Sequence, residues 1–290
     1  MSAKPTVTFF GATGGCAGSA LAAALADGFI CSALARNPAK LYDQLRTYHN
    51  LDLETISGTL TVITGDVTDA TAVVSVLMSF PGGRPADVFV CGVGGAPALQ
   101  WSIYPITLVD PHICEKAAKC VVDAVRAIQS ADVPERRDWR PHLTVVTSTG
   151  IDDRHEDVPF LFRPLYHWLL AVPHKDKRIM ENVVVNAWMD RPGSTSGCLG
   201  GFTIVRPSLL TDGEELGSPV VRVGAVDPPV YGGNVIAAGQ AAKDDSKNEI
   251  RGPAVGYTIS RRDVGKWIFE NVIRQGSGDG WRNKLVTLTY

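Results

Sequence analysis

Two short stretches of this chain carry residues whose types and spacing suit chemistry. The first is Gly11-Ala12-Thr13-Gly14-Gly15-Cys16-Ala17-Gly18, lying between the apolar run Val7 to Phe10 and an Ala- and Leu-rich segment that ends at Gly28. Gly11 admits tight-turn dihedrals that a β-carbon resists. Gly14 lets the main chain approach a pyrophosphate, and Ala17 is small enough for a helix to pack close to a sheet. The start of such a helix offers unpaired N–H groups and a positive dipole end to an anion. The spacing predicts a dinucleotide cradle running through Thr13, Gly15 and Cys16, with a purely structural glycine turn as the alternative. The second stretch is Pro173-His174-Lys175-Asp176-Lys177-Arg178, which opens a helix expected over 175–189. His174 sits one turn before Lys177, so both can face one way, and a histidine there can give up a proton near neutral pH. Asp176 is a further candidate acid, and Tyr166 is close enough in sequence to reach the same place. A charged, solvated helix start is the other reading.

The cofactor choice is read from the second strand. A site for the unphosphorylated dinucleotide usually ends that strand in Asp or Glu, about 20 residues beyond the glycines. Phe29 to Ala35 contains no acid and runs into Arg36, with Lys40 one turn on. A guanidinium there suits a 2′-phosphate, so NADP(H) is expected; a solvated Arg-Asn-Pro helix start is the alternative. Asp66, followed by Val67, lies after the third strand, where a carboxylate either accepts from an adenine amino group or shapes a turn. Gly92, Val93 and Gly94 follow the fourth strand, where main chain would pass close to a ribose or nicotinamide.

The elements that must position these residues alternate. Strands are expected at 7–10, 29–35, 60–64, 87–91, 142–147 and 202–205, and helices at 14–27, from about 37 to 49, at 69–78 and from 113, where apolar residues recur at helical period through Ile128. Such alternation predicts an α/β, Rossmann-like, doubly wound parallel sheet. Residues 1–206 form its dinucleotide-binding core. Residues 208–256 are Gly-, Pro- and Val-rich without helical period, so 207–258 is expected to be a small substrate-binding region of the same domain. A C-terminal helix and strand occupy 259–290. Trp101, Tyr104, Phe160, Phe162, Tyr166 and Trp168 fall in loops after strands four and five. They line the cleft of an open α/β sheet or pack in its core; the former suits a bulky small-molecule substrate.

Composition excludes several classes. The 290 residues hold 28 Lys plus Arg against 30 Asp plus Glu, with a sequence pI near 6.3, which argues against nucleic-acid binding. No apolar run approaches about 18 residues, so no membrane span is expected. MSAKPTVTFF lacks the order of a signal peptide. The six cysteines include no C-x-x-C and no H-E-x-x-H occurs, so no metal is expected and the thiols are read as reduced in a cytoplasmic protein. Asp152-Asp153 and the group Asp212, Glu214, Glu215 are read as solvated loops.

GATGGCAG at 11–18, ARNPAKL at 35–41, GDVTD at 65–69, VVTSTGI at 145–151, DKRIMENVV at 176–184, TIVRPSLLTDG at 203–213 and ISRRDVGKWI at 259–268 resemble the short-chain dehydrogenase/reductase superfamily. Within it they resemble the atypical, NmrA-like branch common in fungi. The resemblance implies an NADPH-dependent reductase of a C=O, C=N or C=C bond in a secondary-metabolite-like substrate. It equally admits an NADP(H)-sensing regulatory protein, or a cyclase or isomerase on the same scaffold. It matches Ser148 to the family's serine and Lys177 to the helix lysine beside the nicotinamide ribose, and it implies a monomer or homodimer. The family's Tyr-x-x-x-Lys pair is missing: Leu170 stands four residues after Tyr166.

Overall fold

The computed structural model describes residues 4–99, 106–131, 133–151, 155–189, 197–228, 252–276 and 280–290. Strands β1 (Val7–Phe10), β2 (Cys31–Ala35), β3 (Leu60–Thr64) and β4 (Val88–Cys91) are followed by a hairpin of β5 (Pro97–Leu99) and β6 (Ile106–Leu108). Then come β7 (His142–Val146), β8 (Gly201–Pro207), β9 (Leu209–Thr211), β10 (Arg222–Val226), β11 (Thr258–Ser260) and β12 (Lys284–Thr289). The helices are α1 (Gly15–Ala26), α2 (Pro38–Asp43), α3 (Leu53–Thr59), α4 (Ala70–Leu77), α5 (Ile113–Ser130), α6 (Pro134–Arg137), α7 (Arg163–Leu169), α8 (Ala171–Met189) and α9 (Arg261–Ile268).

Eight strands form one sheet in the order β10-β12-β8-β7-β4-β1-β2-β3, parallel throughout except for β10. This is the Rossmann-like doubly wound α/β fold. The core strands are apolar on both faces because both are covered. Helices α1, α2, α3 and α9 contribute to one buried cluster, with Phe9 and Ala33 from the sheet. Helices α4, α5 and α8 contribute to the other, with Phe10, Phe89 and Val145. The chain winds from β1 outward to β3 and then returns to β4 on the other side of β1. The carboxyl ends of β1 and β4 therefore flank the switch point where such sheets bind ligands.

Differences from the sequence expectations are local. Helix α3 was not anticipated; Asp52 caps it by accepting from the Thr55 amide at 2.7 Å, but its Ser-Gly-Thr ending is poor helix material. Helix α8 begins four residues earlier than expected, running on from α7. From 207–258, strand β10 joins the main sheet against β12, while β9 pairs with β11 in a small sheet of its own. Trp101, Tyr104, Asp152, Asp153 and much of 207–258 lie outside the described residues.

Candidate functional site

The glycine turn is held at the switch point by main-chain crowding. Gly11 leaves β1 with φ +72°, and a β-carbon on it would lie 2.9 Å from the Gly92 carbonyl carbon and the Val93 nitrogen. The Gly14 amide closes the turn on the Gly11 carbonyl at 2.8 Å. A β-carbon on Gly92 would meet that of Ala17 at 2.7 Å, and one on Gly18 would meet the Ala12 carbonyl oxygen at 2.7 Å. Small residues on both sides thus bring α1 against the strand ends. Gly94 differs, since a β-carbon there would meet nothing within 4 Å.

The amino end of α1 is left bare. Its N-cap is Gly14, with no side-chain cap and no acid in the first turn. By contrast Asn37, Asp52, Asp69 and Ser260 cap α2, α3, α4 and α9 with their side chains. Uncapped amides and an unneutralised dipole end are what a bound phosphate requires. Thr13, Gly15 and Cys16 lie along this turn; burial pushes the Cys16 thiol up to about 12, so it acts as a small apolar residue.

On the β2 side, the Arg36 side chain is 84% exposed and its Nε lies 3.9 Å from the Asp66 carboxylate. Asp66 Oδ1 accepts from the Thr68 amide at 2.9 Å and hydroxyl at 2.7 Å, and these bonds hold its pKa below the ordinary value. Asp66 therefore shapes its turn and also faces Arg36. Lys40 is exposed one turn into α2, and Val67 packs partly into the core beside α4.

On the other side of β4, Thr147 to Gly150 leave the end of β7. Lys177 on α8 donates to the Thr147 carbonyl at 2.8 Å. Burial lowers its pKa, opposed by the nearby Cys114, Cys16, Glu181 and Asp176. Asp176 is engaged elsewhere: its two oxygens accept from the Cys114 and Glu115 amides, each at 2.9 Å, capping α5 from α8. Ser148 is half-buried at the same strand end. Tyr166, on α7, lies beside Thr149. His174 is buried behind it, ring centres 5.7 Å apart. Burial raises the pKa of the Tyr166 phenol, Thr149 opposes the upward shift, and the Asp157 charge adds to it. Tyr166 thus reaches the strand end that holds Lys177, from a separate helix rather than from one turn away.

A slot of about 20 Å³ opens beside Tyr166, lined also by Thr149, Val158, Phe162, Leu209 and Tyr257. Phe162 and Tyr257 meet edge-on across it at 5.3 Å. Phe160, Leu161 and Trp168 are exposed on the same segment. A larger recess, about 1020 Å³, lies at the opposite, amino ends of the strands around Thr6, Asp87 and His142. It is remote from every group just described.

Sequence reasoning missed a buried ion pair beneath the site. Arg206, closing β8, donates to both oxygens of Glu181 on α8, from Nε at 3.0 Å and Nη2 at 2.6 Å. Glu181 also accepts from the Thr147 hydroxyl at 2.7 Å. The signal available in the sequence was one charge in an otherwise apolar strand and one on a buried helix face. Asp212, Glu214 and Glu215 lie exposed in the loop after β9, as expected, with Asp212 and Glu215 paired to Arg261 and Lys266 on α9.

The family model described as NAD(P)H-binding matches residues 11–274, from the glycine turn through α9. The chain belongs to this NAD(P)H-binding family. It is 38% identical to "Reductase pytE" of Aspergillus terreus over 100% of this chain and 99% of that one. It is 37% identical to "Oxidase pynE" of Aspergillus niger, over 99% of each. Among solved structures it resembles the anaerobilin reductase ChuY of Escherichia coli O157:H7 with a TM-score of 0.53. There the identity is 18%, over 98% of this chain and 96% of that one, a likeness of fold. No helix among the described residues is long and apolar enough to cross a membrane.

Proposed function

We propose that this family member is an NADP(H)-dependent oxidoreductase that reduces a C=O, C=N or C=C bond of a bulky, secondary-metabolite-like substrate. The observation that carries the reading is the pairing of a bare α1 amino end at β1 with the Lys177 ammonium at the end of β7. Both lie at the carboxyl edge of the sheet, either side of β4. The names of the two fungal relatives, a reductase and an oxidase, support redox chemistry.

The main chain from Gly11 to Cys16 would hold the pyrophosphate, and Arg36 a 2′-phosphate. The absence of any acid at the end of β2 favours the phosphorylated cofactor. Lys177 would hold the nicotinamide ribose. When bound, the reduced nicotinamide supplies a hydride to the substrate. Of the proton-donor candidates, Tyr166 lines the slot, whereas His174 lies behind it. Tyr166, like any tyrosine, is protonated at neutral pH, and burial raises its pKa further. It can hold a proton at Oη for the substrate heteroatom, as a weaker acid than a free phenol, beside Thr149. Phe162 and Tyr257, beside Tyr166, would supply apolar contact surface to a bulky substrate.

The test is NADPH oxidation with candidate substrates, following label from the nicotinamide C4 into product. Tyr166→Phe is expected to lower turnover about 10²-fold or more with NADPH affinity unchanged. Product formed without label transfer would contradict the redox reading.

A further inference from the structure

Helix α9 lies so close on α1 that a β-carbon on Gly265 would stand 2.5 Å from that of Ser19. This packing sets the first residue of α9, Arg261, over the glycine turn. A β-carbon on Gly15 would fall 2.4 Å from Arg261 Cδ and 2.8 Å from its Cβ. Those nearest neighbours are all atoms of the arginine side chain, so glycine at 15 makes room for a cation. The guanidinium Nη1 is held 2.7 Å from Asp212, whose own side chain is 83% exposed.

The two residues form one wall of a cavity of about 220 Å³ whose floor is Gly14, Gly15 and Gly18. On its far side stands Gln44, with a buried amide oxygen that has no hydrogen-bond partner among the described residues. A ligand bearing both phosphate and hydroxyl groups would satisfy the whole wall.

Resting on the nucleotide-binding reading above, we propose that Arg261 is a second phosphate ligand for the dinucleotide. It acts from the end of the chain opposite to the glycine turn, and Asp212 holds its place until phosphate arrives. The stem of Arg261 crosses Gly15 at the bare amino end of α1, and both border the same cavity, so the pyrophosphate is the group they would share. Arg36, at the end of β2, is left to read the 2′-phosphate. An arginine–phosphate bond is charge-assisted and fork-shaped, whereas the exposed Asp212 partner is screened by water. Exchange of the carboxylate for phosphate therefore favours binding.

Affinities of NADPH, NADH and ADP-ribose, measured by calorimetric titration, separate the roles. Arg261→Ala is expected to weaken all three by about ten- to a hundredfold, with Arg261→Lys in between. Asp212→Asn, which removes no packing, should tighten all three a few-fold. Arg36→Ala should weaken NADPH alone. Unchanged affinities in Arg261→Ala would overturn the proposal. So would a loss confined to NADPH, which would move Arg261 to the 2′-phosphate. If the unsubstituted chain bound none of the three, the nucleotide-binding reading itself would fall.

Discussion

Gly11 and Gly150 mark the two halves of the site, and they are glycines for different reasons. Both follow core strands and both have positive φ, +72° and +81°. At Gly11 the atoms in the way of a β-carbon belong to the main chain of Gly92 and Val93. At Gly150 they are side chains: His174 Cε1 at 2.9 Å, Tyr166 Cδ1 at 3.0 Å and Val158 Cγ2 at 3.2 Å. The turn that leaves β1 is therefore set by main-chain crowding. The reaction half is set by a packed group of side chains, where one fold can exchange residues and chemistries. On the proposed reading, the missing Tyr-x-x-x-Lys pair falls in the second half, where Tyr166 would approach from α7 instead.

Beneath the reaction half, Glu181 and Arg206 should give the largest effect. Glu181→Ala removes the carboxylate shared by the buried Arg206 guanidinium and the Thr147 hydroxyl, and is expected to cost about 3–5 kcal/mol by chemical denaturation. A double replacement by apolar residues should recover much of that loss; if it does not, the pair does more than satisfy itself. Smaller and sharper is the contrast between the glycines. Gly11→Ala should lower stability by about 1–3 kcal/mol and remove nucleotide binding. Gly150→Ala should disturb turnover while leaving nucleotide affinity intact, and equal effects on affinity would erase the distinction drawn here.

The smallest effect concerns the clamp that seats α9. Asp263 accepts from the Tyr290 hydroxyl at 2.5 Å, the Leu216 amide at 2.9 Å, the Gly217 amide at 2.8 Å and the Ser260 hydroxyl at 2.9 Å. Burial alone would raise its pKa, but these bonds outweigh it and hold the pKa below the ordinary 3.8. A depressed carboxyl stabilises the fold above its unfolded value, and that contribution is lost as pH falls below 3.8. Asp263→Asn should flatten this acid limb of the stability profile, and an unchanged limb would place the titration elsewhere.

Much of the first half was legible because its signals are local. A glycine run between a strand and a helix, or an arginine where an acid is usual, can be read over a few residues. The helix expected over 69–78 was equally plain; Asp69 caps it. The second half depends on partners far apart in the chain. Asp176 has the look of a catalytic acid, yet its oxygens are bound by amides at 114 and 115, which only the packing of α8 on α5 brings near. Arg261 is one basic residue among several until α9 docks on α1. Helix α3 escaped notice because its Ser-Gly-Thr ending favours helix weakly, although Asp52 caps its start.

The central claim is that the bare α1 turn and Arg36 together grip a phosphorylated nicotinamide nucleotide. It is tested most directly by titrating the purified chain and Arg36→Ala with NADPH and NADH, following nicotinamide fluorescence. The account predicts tighter binding of NADPH than NADH by the unsubstituted chain, and loss of that preference in Arg36→Ala with NADH affinity unchanged. Equal affinity for the two cofactors, or an equal loss of both in the variant, would contradict it.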